Sequence, residues 1–159
     1  MAERSGYSRL QIGLHWLIAG LFLLNWFLGE GAEAVMEKIE EGAADPGFSP
    51  HIPIGLLILV LVVIRIGVKL VRGGPMPPGA PGSLPVKAAL AGHAALYLMM
   101  LAVPIGGAMV FFGGFSEMGE VHGLAANLLM LLAFGHAVIA LYHQYVVKDR
   151  LLLRMMRPE

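Results

Sequence analysis

Six histidines are the residues of this chain best equipped for chemistry: His15, His51, His93, His122, His136 and His143. A neutral imidazole can ligate a metal or carry a proton. There is no cysteine, which excludes thiolate metal sites and iron–sulfur clusters. Three of the histidines fall in GEVHGLAANLLMLLAFGHAVIALYHQYVVKD (residues 119–149), which carries no acid, Lys or Arg between Glu120 and Lys148. Ionisable groups inside so apolar a segment are expensive and mark functional sites. His122 and His136 are 14 residues apart, about 40° short of four full helical turns and ~21 Å of rise. One helix thus offers two imidazoles on one face at two depths.

The elements that hold these groups follow from composition. Of the 159 residues, 57% are hydrophobic and 14% charged, against about 45–50% and 25% in soluble domains. Crossing a hydrocarbon core takes about 20 apolar residues. Charge-free windows of that length run over Leu10–Gly29, Ala88–Ser116 and Val121–Val147, and a fourth, Ile52–Val71, is interrupted by Arg65 and Lys69. The expected fold is an all-α membrane protein, a four-helix transmembrane bundle in a single domain over residues 1–159. Its helices are expected near 10–29, 51–71, 88–112 and 121–147. The first apolar core exceeds the 7–15 residues of a signal peptide and no small-x-small cleavage site follows, so a retained helix is expected.

Charge sets the orientation. Arg4, Arg9, Arg65, Lys69, Arg72, Lys87, Lys148, Arg150, Arg154 and Arg157, 10 of the 11 basic residues, fall on one side of a four-span topology. The other side carries Lys38 with eight acids: Glu30, Glu33, Glu37, Glu40, Glu41, Asp45, Glu117 and Glu120. Both termini are therefore expected in the cytoplasm. RGGPMPPGAPGSLP (residues 72–85) reads as an irregular cytoplasmic linker. The acidic outer loop has room for a short amphipathic helix with Val35, Met36 and Ile39 turned to the membrane surface. Topology and anionic lipid headgroups account for the basic side, and no nucleic-acid signature is present.

Depth then pairs the histidines. His51 opens the second span at the outer level of His122, and His15 in the first span matches the inner level of His136. Facing imidazoles at one depth can hold a planar iron macrocycle between helices, so two haems are expected, one near each membrane face. Arg65, 14 residues after His51, falls at the inner level, where its guanidinium suits a haem propionate or snorkels to the interface. Gly92, Gly123 and Gly135 adjoin candidate ligands and allow close approach. His143, seven residues beyond His136 and ~31 Å below His122, fits a supporting or quinone-site role, with inner ligand as the alternative. His93 faces the cytoplasmic half from the third span, where a propionate, a quinone carbonyl or backbone could engage it.

YSRLQIGLHWL (residues 7–17), the RI pair at Arg65–Ile66, AGHAALYL (91–98) and VHGLAANLLMLLAFGHAVIALYHQYVVKDRLLLRMM (121–156) resemble bacterial cytochrome b561. The likeness covers almost the whole chain in order. It implies a small four-helix protein of the bacterial inner membrane with two b-type haems on histidines of helices 1, 2 and 4. By motif match these are His15, His51, His122 and His136, and the resemblance implies electron exchange with ubiquinone. One member of the family passes electrons from superoxide to ubiquinone. Here the joint between the third and fourth spans, GGFSEMGE, is short and acidic, and an acidic outer face repels an anion such as superoxide.

The expected function is transmembrane electron transfer between the outer face and a quinone pool, with no catalytic side chain. The alternatives are a superoxide:ubiquinone oxidoreductase, the cytochrome b subunit of a larger dehydrogenase docking a redox partner, and a haem-free histidine-lined transporter. The spans contain no carboxylate, which disfavours the transporter.

Overall fold

A computed structural model describes residues 6–45 and 47–158; Arg4 and Glu159 lie outside the described residues. Among the described residues all regular structure is helical. Four segments are long and apolar enough to cross a membrane: Arg9–Phe27, His51–Arg72, Leu84–Gly113 and Ser116–Val147.

Helix α1 (Arg9–Phe27) starts at a capping box. The Ser8 hydroxyl accepts from the Gln11 N–H at 3.4 Å, and the Gln11 side chain accepts from the Ser8 N–H at 3.0 Å. Its buried residues, Leu14, Ile18 and Asn25, recur at helical spacing and face α3. Helix α2 (Gly29–Glu40) follows almost without a break and lies over that end of the bundle. The amphipathic outer helix is therefore present, but Val35 is 7% exposed and packs onto the protein instead of the membrane surface. Ile39 stays exposed.

Helix α3 (His51–Arg72) ends where Gly73 takes φ 69° and donates to the Lys69 carbonyl at 2.8 Å. Ile58 and Val62 of α3 are fully buried with Ile18 of α1, flanked by Phe22, Ile66, Met100 and Leu101. Helix α4 (Leu84–Gly113) starts ahead of Lys87, earlier than its charge-free window, because Ser83 and Pro85 suit a helix start. Pro104 lies inside it, an interruption tolerated in a membrane helix where neighbours satisfy the freed backbone.

Helix α5 (Gly119–Tyr142) packs on α4 and reaches α1 through Trp26, whose indole N–H donates to the Asn127 side chain at 2.8 Å. Leu70, Val71, Leu84 and Phe134 are among many large apolar side chains left outward, the surface that meets lipid. Beyond Tyr142 the helix widens into a π-turn over His143–Val147, and Lys148 and Arg150 both take φ 61°. The chain then folds back: Met155 accepts from the Trp16 indole at 2.8 Å, and Arg154 donates to the Met76 carbonyl at 3.2 Å. The start of α1 and the end of the chain therefore share one end of the bundle.

Candidate functional site

The histidines gather at two levels. On the α2 side, His51 at the first turn of α3 faces His122 at the first turn of α5, ring centroids 6.0 Å apart and planes at 86°. Each ring is anchored through Nδ1: His51 donates to the Asn25 carbonyl at 2.9 Å and His122 to the Val103 carbonyl at 3.0 Å. Carbonyls only accept, so both Nδ1 atoms carry hydrogen and each Nε2 keeps its lone pair for a metal. Gly106 and Gly107 of α4 make room for the His122 ring; a Cβ on Gly107 would lie 2.8 Å from its Cε1. Ser49 and Asn25 are 2% and 7% exposed, and each keeps a buried side-chain oxygen without a partner.

On the terminus side, His15 of α1 and His136 of α5 are 6.5 Å apart with planes at 71°. His93 of α4 joins them, 5.2 Å from His136, with Nδ1 donating to the Ala89 carbonyl at 2.7 Å. Arg65 of α3 donates from Nη2 to His15 Nδ1 at 3.1 Å and from Nε to the Tyr97 hydroxyl at 3.2 Å. Its Nη1 is buried without a partner. With Nδ1 accepting, the His15 hydrogen sits on Nε2, so ligation by His15 requires Arg65 to turn from Nδ1 toward a carboxylate of the bound group. The Lys69 ammonium lies 4.4 Å over the Tyr97 ring, a cation–π contact. His143 stands apart from both groups, with Nδ1 2.6 Å from Asp149 Oδ2.

Two metal–imidazole bonds of about 2 Å, plus roughly 1 Å from each ring centre to its nitrogen, separate the centroids by ~6 Å. The 6.0 and 6.5 Å pairs meet that spacing, and rotation about the bonds leaves the interplanar angle free. His93 and His136, at 5.2 Å, are too close for an ion between them. Among the described residues no group of three or more His, Asp or Glu side chains could hold a bare ion. Two axial nitrogens suit a metal whose remaining ligands arrive with it, as iron in a porphyrin does. The unpartnered Nη1 of Arg65 suits a carboxylate on that macrocycle.

A family model described as Prokaryotic cytochrome b561 matches residues 6–158. The "Cytochrome b562" of Cereibacter sphaeroides is 48% identical over 160 residues, covering 99% of both chains. The chain belongs to the prokaryotic cytochrome b561 family. The "Probable superoxide oxidase CybB" of Yersinia pestis is 34% identical over 94% of this chain and 95% of its own. "Cytochrome b561 homolog 1" of Escherichia coli is 28% identical over 94% and 96%. This cytochrome is accordingly a haem-binding electron-transport protein of the membrane, and its cofactor is b-type haem.

Several side chains around the cytochrome's histidines carry no signal in the depth pattern. Tyr97 sits four residues after His93 on the same face of α4, a spacing that hints at joint action. Gly107 follows a Pro-x-Gly run, and only the packing of α4 on α5 reveals what its missing side chain permits. Asp149 lies six residues beyond His143, across a π-turn that no helical periodicity anticipates. Desolvation raises the Asp149 carboxyl, but the His143 and Leu151 hydrogen bonds, with the charges of His143 and Arg154, outweigh it and hold it below its ordinary value. Burial, reinforced by Tyr97, pushes the Tyr7 hydroxyl up against the opposing pull of Arg65 and Arg154.

Proposed function

We propose that this cytochrome carries electrons across the membrane through two b-type haems and exchanges them with the quinone pool. His51 and His122 would hold the haem on the α2 side, and His15 and His136 the haem on the terminus side. The observation that carries this is the pair of imidazole couples, 6.0 and 6.5 Å apart, sharing α5 as their common wall. Held between two imidazoles, a haem group would supply one-electron transfer instead of oxygen activation. The chain's own contribution is geometric and electrostatic. Carbonyls of Asn25 and Val103 fix the imidazole tautomers, Arg65 supplies a positive charge beside His15, and the apolar core of Ile18, Ile58 and Val62 excludes water.

The distribution of basic residues supports an inner-membrane orientation with both termini in the cytoplasm. Reporter fusions at the C-terminus and in the α2 loop test it, and the reverse pattern would refute it. In the purified protein, dithionite should give a b-type difference spectrum, and a short-chain ubiquinol should reduce the same haems. No reduction by quinol would exclude the quinone reading.

A second reading rests on the relative named a probable superoxide oxidase. The acidic α2 side opposes it, because eight acids against Lys38 repel an anion and favour a basic redox partner. Superoxide should therefore reduce the haems more slowly than quinol does, and added salt should relieve the repulsion within a screening length of ~8–10 Å. Near-diffusion-limited reduction that slows with salt would establish the oxidase instead. Membership of a haem-protein family removes the support for a haem-free transporter.

A further inference from the structure

The histidine just past α5 has a partner that neither histidine level needs. His143 Nδ1 is 2.6 Å from Asp149 Oδ2, and the other Asp149 oxygen accepts the Leu151 N–H at 3.0 Å. The backbone is bent to achieve this. The helix widens to a π-turn over His143–Val147, and the residues flanking Asp149, Lys148 and Arg150, both stand at φ 61° without being glycine. A left-handed backbone at such residues costs on the order of 1–3 kcal/mol each, and strain of this kind concentrates where geometry serves function. Beside His143, the side-chain carbonyl of Gln144 is buried without a partner.

We propose that Asp149 is a positioning residue for proton transfer at the quinone-reactive end of this cytochrome, holding His143 so that Nε2 takes the proton of a hydroquinone; this rests on the quinone reading above. Asp149 accepts the Nδ1 hydrogen, which leaves the Nε2 lone pair free. His143 lies seven residues past His136, at the start of the π-turn that follows α5, ~10 Å of rise toward the terminus end. That places the dyad about two turns beyond the terminus-side histidine level, with the side chains 28% and 25% exposed. In the oxidising direction the hydroquinone O–H bond breaks and its proton passes to Nε2. The two electrons leave singly for the ferric haems, each of which becomes ferrous. His143 releases the proton to solvent through its exposed edge before taking the second one. Quinone reduction runs the same steps backwards. The charged groups around the dyad are Lys148 and Arg150 in the turn and Arg154 from the returning chain.

The test is stopped-flow reduction of the holoprotein by a short-chain ubiquinol. Asp149→Asn keeps the shape but cannot act as an anionic acceptor for Nδ1–H. It should lower the maximal rate about ten- to a hundred-fold, within the range of general acid–base effects, while the half-saturating quinol concentration and haem content hold. Asp149→Glu should restore most of the rate. His143→Gln should match Asp149→Asn, and the double variant should be no slower than either single one, as for groups acting as a unit. Should Asp149→Asn lose haem, His143→Gln and Asp149→Glu carry the test. A wild-type rate in Asp149→Asn or His143→Gln would overturn the proposal, as would an Asp149→Glu variant no faster than Asp149→Asn. A wild-type protein that quinol cannot reduce would overturn it together with the quinone reading.

Discussion

The two histidine levels each face one imidazole with another, but one is neutral and the other carries positive charge. On the α2 side, His51 and His122 lean on backbone carbonyls, with the neutral side chains of Asn25 and Ser49 buried nearby. On the terminus side, a guanidinium touches His15 directly and an ammonium stands over Tyr97. A positive charge near an iron favours the electron-rich ferrous state. If both levels hold haem as proposed, the terminus-side haem should therefore be the easier to reduce. On the proposed reading, the imidazole pairs would set where electrons stop, and the residues around them would set the relative potentials.

The comparison breaks most visibly at the ligands. His122→Ala should remove the α2-side haem and spare the other, and His136→Ala should do the reverse, each halving the haem per protein in a pyridine haemochrome assay. If either variant kept both haems with unchanged spectra, the pairing would be wrong. His143→Ala should keep both haems; loss of the terminus-side one would make His143 a ligand.

Arg65→Leu sharpens the contrast. A unit charge several ångströms from the iron contributes on the order of 2 kcal/mol at an effective dielectric near 20. The terminus-side potential should fall by that amount in a spectroelectrochemical titration while the α2-side potential holds, bringing the two closer. Unchanged potentials for both would show that Arg65 does not tune the haem. Gly107→Ala acts on the other level. Its methyl would meet His122 at 2.8 Å, and relief of such overpacking costs about 1–3 kcal/mol. Thermal loss of the α2-side haem should come earlier in this variant, with the terminus-side haem unaffected.

The smallest effect concerns the clasp at the chain end. Asp149 titrates below its ordinary carboxylate value, so the stability it contributes is present above the unfolded-state value and is lost as pH falls through the folded one. Acidification to below about pH 4 should release the returning chain and free the Trp16 indole from Met155. Trp16 fluorescence should report this while Trp26, bonded to Asn127 at the far end, does not change. Comparing Trp16→Phe and Trp26→Phe variants separates the two signals.

The four spans are legible in the sequence because a membrane helix must be nearly free of charge over its whole length. The match of His51 with His122 and of His15 with His136 is legible for a related reason: helical rise converts spacing along the chain into depth. Rotation about the helix axis is less accessible. Depth places His93 in the terminus-side half, yet its 5.2 Å approach to His136 depends on how α4 turns toward α5. Val35, Met36 and Ile39 form an apolar stripe, but periodicity does not distinguish lipid from protein, and Val35 turns to protein. Tyr97, Gly107 and Asp149 matter through contacts across helices or across an irregular turn, which leave no periodic trace.

On the proposed reading, α5 would wall two separate bis-histidine haem sites. Quantitative haem and protein analysis of the purified wild type, combined with low-temperature electron paramagnetic resonance of its oxidised form, tests it most directly. Two b-type haems per chain are expected, both low-spin and six-coordinate, with resolvable signals because their surroundings differ. A single haem per chain, or a high-spin signal from iron with an open axial position, would contradict it.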